Sequence, residues 1–322
     1  MNGKWFGAVG DGITDDTFAV QSAVDFALRY RVGSILYPAR EYIITQTIQI
    51  NLSFANQLNP IIKGVGKNAT IFKSGVFEEC IPFYEATYSE LPPVPTPIVI
   101  SSFPTPPAVF HVNGGGYLDT KVSFESLSIQ GETRDIMRKG AGFYEVQVPG
   151  GKQWFYLEHN TWGPTGLMLE LTALFHVTDV SIYDYNVCVW LRGALSFNMD
   201  KFILGGSNIT KMAANGIYTE RGTAPNDALV YCNAITLTNG RICYCSEKGI
   251  NFGQGNLLTL RSLDMEWNGS TTQTGEGQRV GNPDTGAVFI RDDVNDEGTT
   301  FQLNMYDCWF EMNSGYTFRN YP

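Results

Sequence analysis

The chain has 322 residues, 43% of them hydrophobic and 17% charged, which is enough for a sizeable core in one or two ordinary globular domains. The formal net charge is -10 and Lys and Arg are scattered singly, so nucleic acid is not an expected partner. No apolar run reaches membrane-spanning length, and "MNGKWFGAVG" lacks the basic stretch and apolar core of a secretory signal, so neither membrane insertion nor self-directed export is expected, unless a leader has been trimmed.

The first element follows "GDGITDDT", which sets Asp11, Asp15 and Asp16 close together. Val20, Ala23, Val24, Ala27 and Leu28 recur at helical spacing and predict a helix over 14–31. Thr14 stands where an N-cap would be, Asp15 and Asp16 would fall in the first turn, and Gly33 would end the helix. Each aspartate then has a local structural task, and that reading is preferred to an acidic catalytic cluster. A strand follows in "SILYPAREYIIT" and another in "IIKGVGKNATIFKSG".

These three stretches, with "WFGAVGDGITDDTFAVQSAVDFA" at their head, resemble the N-terminal signature of the pectate-lyase-like right-handed parallel β-helix superfamily, and within it the tailspike depolymerases of bacteriophages and prophages. Ala39-Arg40-Glu41-Tyr42 replaces the usual Pro-Gly-x-Tyr of that signature, which spans about the first quarter of the chain. The resemblance implies an all-β, right-handed, single-stranded parallel β-helix with a short N-terminal capping α-helix, assembled as a homotrimer. It says little about chemistry, because the fold serves lyases, hydrolases, epimerases and non-catalytic spikes.

Further along, a pattern of apolar-x-apolar, two residues, apolar-x-apolar and a turn starts at Phe175, Phe197, Ile235, Leu258 and Leu303. Gly240 interrupts it in the third copy. The starts lie 22, 38, 23 and 45 residues apart, as expected for coils of about 22–23 residues with insertions. A β-sandwich would instead show antiparallel hairpins without a constant register. A single domain over 1–322 is expected, with excursions at 80–107 (eight of the 15 prolines), 132–165 and 268–285.

In each coil the residues between the apolar ones point outward. This puts Arg241 and Cys243, then Asp264 and Glu266, then Trp309 and Glu311 at matching outward positions on neighbouring coils. Neighbouring strands lie about 4.8 Å apart and residues i and i+2 about 6.5–7 Å apart. Paired carboxylates at such separations suit glycoside hydrolysis, one as acid and one as base. Glu266, Asp264 and Glu311 are therefore the candidate catalytic residues; a solvated acidic surface is the competing reading. Arg241 would neutralise an acidic sugar, and Trp309, Trp267 and His159 would line the substrate groove. Asp307 is expected to serve a turn.

The six cysteines form no CxxC pair and the three histidines are not at zinc-ligand spacing, so neither metal nor cofactor is expected. Pectin-hydrolase motifs, GxSxG and a P-loop are absent. What the resemblance implies, joined to the paired carboxylates, is depolymerisation of a bacterial capsular, O-antigen or exopolysaccharide by a phage tail protein, in the virion tail or outside the cell, with the polymer, its own copies and other tail proteins as partners. Polysaccharide β-elimination and a non-catalytic receptor-binding spike are the alternatives.

Overall fold

The computed structural model describes residues 1–52, 60–74, 108–115, 122–131, 142–148, 151–157, 165–208, 212–226, 228–269, 271–273, 279–281, 285–291, 301–314 and 316–320. Two large sheets run the length of the chain, and every strand pairing within them is parallel. Parallel neighbours cannot be joined by hairpins, so the chain travels round the stack to return beside itself. That excludes the antiparallel sandwich and makes the protein an all-β stack of coils.

One sheet holds Asp11–Asp15, Arg40–Ile44, Thr70–Ser74, Ser123–Gln130, His176–Tyr183, Asn198–Asp200, Ile235–Thr238, Leu257–Arg261 and Gln302–Tyr306 in spatial order. In its later coils each strand has a short companion, Ile203–Gly205, Arg241–Cys243, Asp264–Glu266 and Trp309–Glu311. The corner residue is in the left-handed region in coil after coil: Asp179, Lys201, Asn239, Ser262 and Asp307 all have φ between 51° and 55°. Asp307 is thus a corner residue. The second sheet stacks Ile48–Asn51, Ala108–Asn113, Thr165–Glu170, Val187–Arg192, Ala213–Glu220, Cys245–Phe252, Gly286–Ile290 and Tyr316–Asn320.

The core lies between the sheets. Tyr42, Phe72, Phe110, Phe124, Phe175 and Phe197 form a continuous aromatic column, with successive ring centroids 5.4, 5.1, 5.1, 5.9 and 6.3 Å apart. Ile235 and Leu258 continue the stack of first apolar positions, and both are fully buried. Each buried side chain of this size contributes about 1.5–3 kcal/mol. Gly240 breaks the sequence pattern for a packing reason. A Cβ there would lie 2.3 Å from the Phe202 ring, which fills the space instead.

The helix spans Thr17–Tyr30 and buries Val20, Ala23, Val24, Ala27 and Leu28 over the first coils. Its start differs from the sequence expectation. Thr14 belongs to the Asp11–Asp15 strand, so it does not cap the helix, and no acidic residue lies in the first turn. Strand pairing with Arg40–Ile44 has captured the residues the helix would have used. Asp15 instead accepts from the Thr17 backbone N–H at 2.9 Å and the Thr45 hydroxyl at 2.7 Å. Asp16 is buried and accepts from the Val9 and Gly10 backbone N–H groups at 2.6 and 3.0 Å. Asp11 accepts from the Ile13 and Thr14 N–H groups. The helix ends at Arg31, which is left-handed at φ 55°, and not at Gly33.

Of the expected excursions, 80–107 lies outside the described residues. The stretch 132–165 includes an antiparallel hairpin, Gly142–Val148 with Gly151–Leu157, and 268–285 includes a shorter one, Thr271–Gln273 with Arg279–Gly281. Cys188, Cys232, Cys243, Cys245 and Cys308 are free thiols, all but Cys308 buried.

Candidate active site

Outward residues of the companion strands form two straight rows. Arg241 pairs with Asp264 and Asp264 with Trp309 in one row; Cys243 pairs with Glu266 and Glu266 with Glu311 in the next. Between them Ile242 and Met265 are fully buried, which is why the polar residues on either side face outward. The guanidinium of Arg241 reaches across both rows. Its Nη2 donates to Glu266 Oε2 at 2.6 Å, and its Nε lies 3.4 Å from Asp264 Oδ2. Trp309 is 64% exposed, and its Nε1 donates to Glu311 Oε2 at 3.1 Å.

The charges in this set differ in their surroundings. Burial and then the negative charge of Glu266 raise the Asp264 carboxyl above the usual aspartate range, a rise that Arg241 opposes. Cys243, in the row of the two glutamates, is pushed up to about 11 by burial and remains a neutral thiol. A carboxyl raised towards proton uptake beside a glutamate fixed by an arginine is a pairing that acid–base chemistry uses.

The structure thus brings Arg241, Asp264, Glu266, Glu311 and Trp309 together. Trp267 does not join them. It occupies the left-handed turn after Glu266, at φ 56°, and its ring stacks on Tyr244 at 6.4 Å. His159 lies outside the described residues. Among the described residues no group of three or more His, Cys, Asp or Glu side chains is placed to hold a metal ion.

A second charged row stands on the outer face of the other sheet, and the sequence reading missed it. Glu170, Arg192 and Glu220 are directly paired across three neighbouring strands. Arg192 Nη1 lies 3.3 Å from Glu170 Oε1, and its Nε lies 3.3 Å from Glu220 Oε1. His111 Nε2 is 3.0 Å from the other oxygen of Glu170, and Trp190 Nε1 donates to Glu220 Oε1 at 3.0 Å. The signal was present but faint. In "LMLE", "VWLR" and "IYTE" a charged residue closes each strand, after outward positions filled by Met168, Trp190 and Tyr218 rather than by polar residues. Without alternation, those strands read as fully buried.

No family model matches the chain. In sequence, a short part is similar to the mannuronan C5-epimerase AlgE5 of Azotobacter vinelandii, 37% identical over 73 residues, which are 22% of this chain and 7% of that protein. Similarity to AlgE2 of the same organism is 48% over 44 residues, 14% of this chain and 4% of that protein. The matched stretch is thus a small fraction of those curated relatives. In structure, the chain resembles ORF18 of Geobacillus virus E2 with a TM-score of 0.56 and 16% identity, over 98% of this chain and 49% of that one. It also resembles the catalytic unit of a GH87 α-1,3-glucanase from Streptomyces thermodiastaticus, with a TM-score of 0.50 and 12% identity, over 97% of this chain and 47% of that one. At these identities the likeness is one of fold.

Proposed function

We propose that the chain is the right-handed β-helix body of a phage tailspike-type depolymerase, which hydrolyses glycosidic bonds in a bacterial surface polysaccharide. The observation that carries this is the in-register set of Arg241, Asp264, Glu266 and Glu311 beside the exposed indole of Trp309. Asp264 protonates the leaving oxygen. Glu266, turned by Arg241, or Glu311 takes the proton of the attacking water. Trp309 offers a ring face to a sugar. Similarity in fold to a viral protein and to a glucanase catalytic unit supports the reading. Hydrolysis is favoured over β-elimination because Arg241, the cation nearest the acids, is engaged by both carboxylates rather than poised as a base. The assembly is a homotrimer that meets other tail proteins in the virion tail. No described helix is long and apolar enough to cross a membrane.

The test is size-exclusion chromatography of capsular, O-antigen and exopolysaccharides after incubation with the protein. A fall in size for one polymer, with saturated fragment ends, is expected, and Asp264→Asn and Glu266→Gln each slow that cleavage. Unsaturated ends would replace hydrolysis by elimination. A polymer that co-elutes uncut with the wild-type protein would make the chain a binding spike.

A further inference from the structure

The row on the second sheet has the makings of an independent reaction centre. Glu170 and Glu220 stand two strands apart, about 9.6 Å between backbones at about 4.8 Å per strand. The Arg192 guanidinium stands between them, 3.3 Å from an oxygen of each, so the two carboxyls are held one guanidinium apart, no wider than the roughly 6.5–9.5 Å that inverting glycosidases use. Neither is a free surface acid. Side chains of Glu170 and Glu220 are 17% and 25% exposed. Half-burying four ionisable groups on the outside of a coil costs desolvation and contributes nothing to the core between the sheets.

Their environments divide them. The hydrogen bond from His111, with the charge of Arg192, holds Glu170 below the usual glutamate range despite its burial. Burial raises Glu220, and Arg192, Trp190 and Arg291 only partly offset it. The Arg291 guanidinium lies 4.5 Å from the Tyr218 ring centroid and donates to the Thr219 carbonyl at 2.6 Å.

A separate observation points to a ligand. Ala108, Met168, Val187 and Trp190 form a buried apolar patch of their own, against which Tyr218 packs, beside the charged row. In the same strand rows Asn215 pairs with Val187 and Asn251 with Tyr218. Both asparagines are more than nine-tenths buried and bond each other, Asn251 Nδ2 donating to Asn215 Oδ1 at 3.4 Å, which leaves Asn215 Nδ2 and Asn251 Oδ1 without a partner among the described residues. A buried donor and a buried acceptor left over in this way are costly unless something supplies their bonds. A mix of donors and acceptors that nearly balances in charge matches an uncharged, hydroxyl-rich ligand.

We propose that His111, Glu170, Arg192 and Glu220 form a second glycoside-cleaving site, acting on a neutral sugar segment with inversion at the anomeric carbon. Glu220 gives its proton to the glycosidic oxygen as the bond from that oxygen to the anomeric carbon breaks. Water adds its oxygen to that carbon and its proton to Glu170. The proton passes to solvent, and Glu220 takes one back. Arg192 and His111 are positioning residues for the two carboxylates. This rests on the reading that the chain acts on a glycan, but not on assigning that reaction to Asp264 and Glu266.

Four proteins decide it: wild type, Asp264→Asn/Glu266→Gln, Glu220→Gln, and all three changes together, each checked for folding by thermal melting. Polymer size is followed on the same panel, and the anomeric form of fresh fragments by proton NMR. Cleavage with inversion is expected to survive in the double variant and to fall about 100-fold or more when Glu220→Gln is added. If Glu220→Gln does not fold, Glu220→Asp takes its place; it keeps an acid but withdraws it by one methylene, and a marked loss is again expected. Loss of all cleavage in the double variant, with Glu220→Gln at full rate, overturns the second site and leaves the first standing. Loss confined to Glu220→Gln keeps the second and removes the first. A wild-type protein that cuts no polymer of the panel removes both.

Discussion

Asp16 shows how a cluster that looks catalytic is used for structure. It lies buried at the mouth of the helix, where its two oxygens take up the backbone N–H groups of Val9 and Gly10. Those donors have no strand or helix partner in the chain's first turn, so removing the carboxylate orphans both. Asp16→Ala is expected to cost about 1.5–3 kcal/mol, seen as a lower urea midpoint at an unchanged slope. Asp11→Ala should leave the midpoint nearly where it was, because Asp11 is solvent-exposed and bonds only to its own turn. An equal fall for both would mean that the turn, not Asp16, is the element that matters. The structural role of the three aspartates was legible from their place before an apolar helix. The task of each was not, because Thr14, expected as the cap, lies instead in a strand whose partner is some thirty residues away, which moves Asp15 and Asp16 out of the first turn.

At the scale of elements, legibility followed alternation. Where inward apolar and outward polar residues alternate, as in "LTLRSLDM" and "LNMYDCWF", the register could be read to the residue, and the observed pairing of Glu266 with Glu311 and of Arg241 with Asp264 matches it. Where the outward positions are themselves apolar, as at Met168 and Trp190, the period is lost, and with it the row of Glu170, Arg192 and Glu220. Gly240 was the one visible flaw in the repeat, and it is explained by its neighbour: the Phe202 ring occupies the volume that a side chain would need. Gly240→Ala should therefore destabilise by about 1–3 kcal/mol through overpacking. Phe202→Leu in the same protein opens that space, so the double variant should lose less than the sum of the two single losses. Strict additivity in the denaturation midpoints would show that the contact does not set the position.

Across the whole molecule, each coil touches only its neighbours along the stack, and the helix closes one end by burying Val20 and Val24 against the first coils. Stability in such an array is close to a sum of nearest-neighbour terms, so damage should stay near where it is inflicted. Val20 is fully buried, so Val20→Asp sets an unpaired charge against the apolar core, at a cost of about 3–5 kcal/mol. Native-state hydrogen exchange then reports how far the loss travels. Amides of Arg40–Ile44 and Thr70–Ser74 should lose most protection, and those of Ile235–Thr238 and Leu257–Arg261 should keep theirs, because several intact interfaces separate them from the helix. If protection fell equally from the first coil to the last, the continuous aromatic column from Tyr42 to Phe197 would be coupling the stack into one cooperative unit. The rows of Asp264 and Glu220 would then depend on the helix for their geometry, however far along the coil they lie. Under the nearest-neighbour expectation, polymer cleavage at the distal row should survive Val20→Asp at temperatures where the N-terminal coils have already opened.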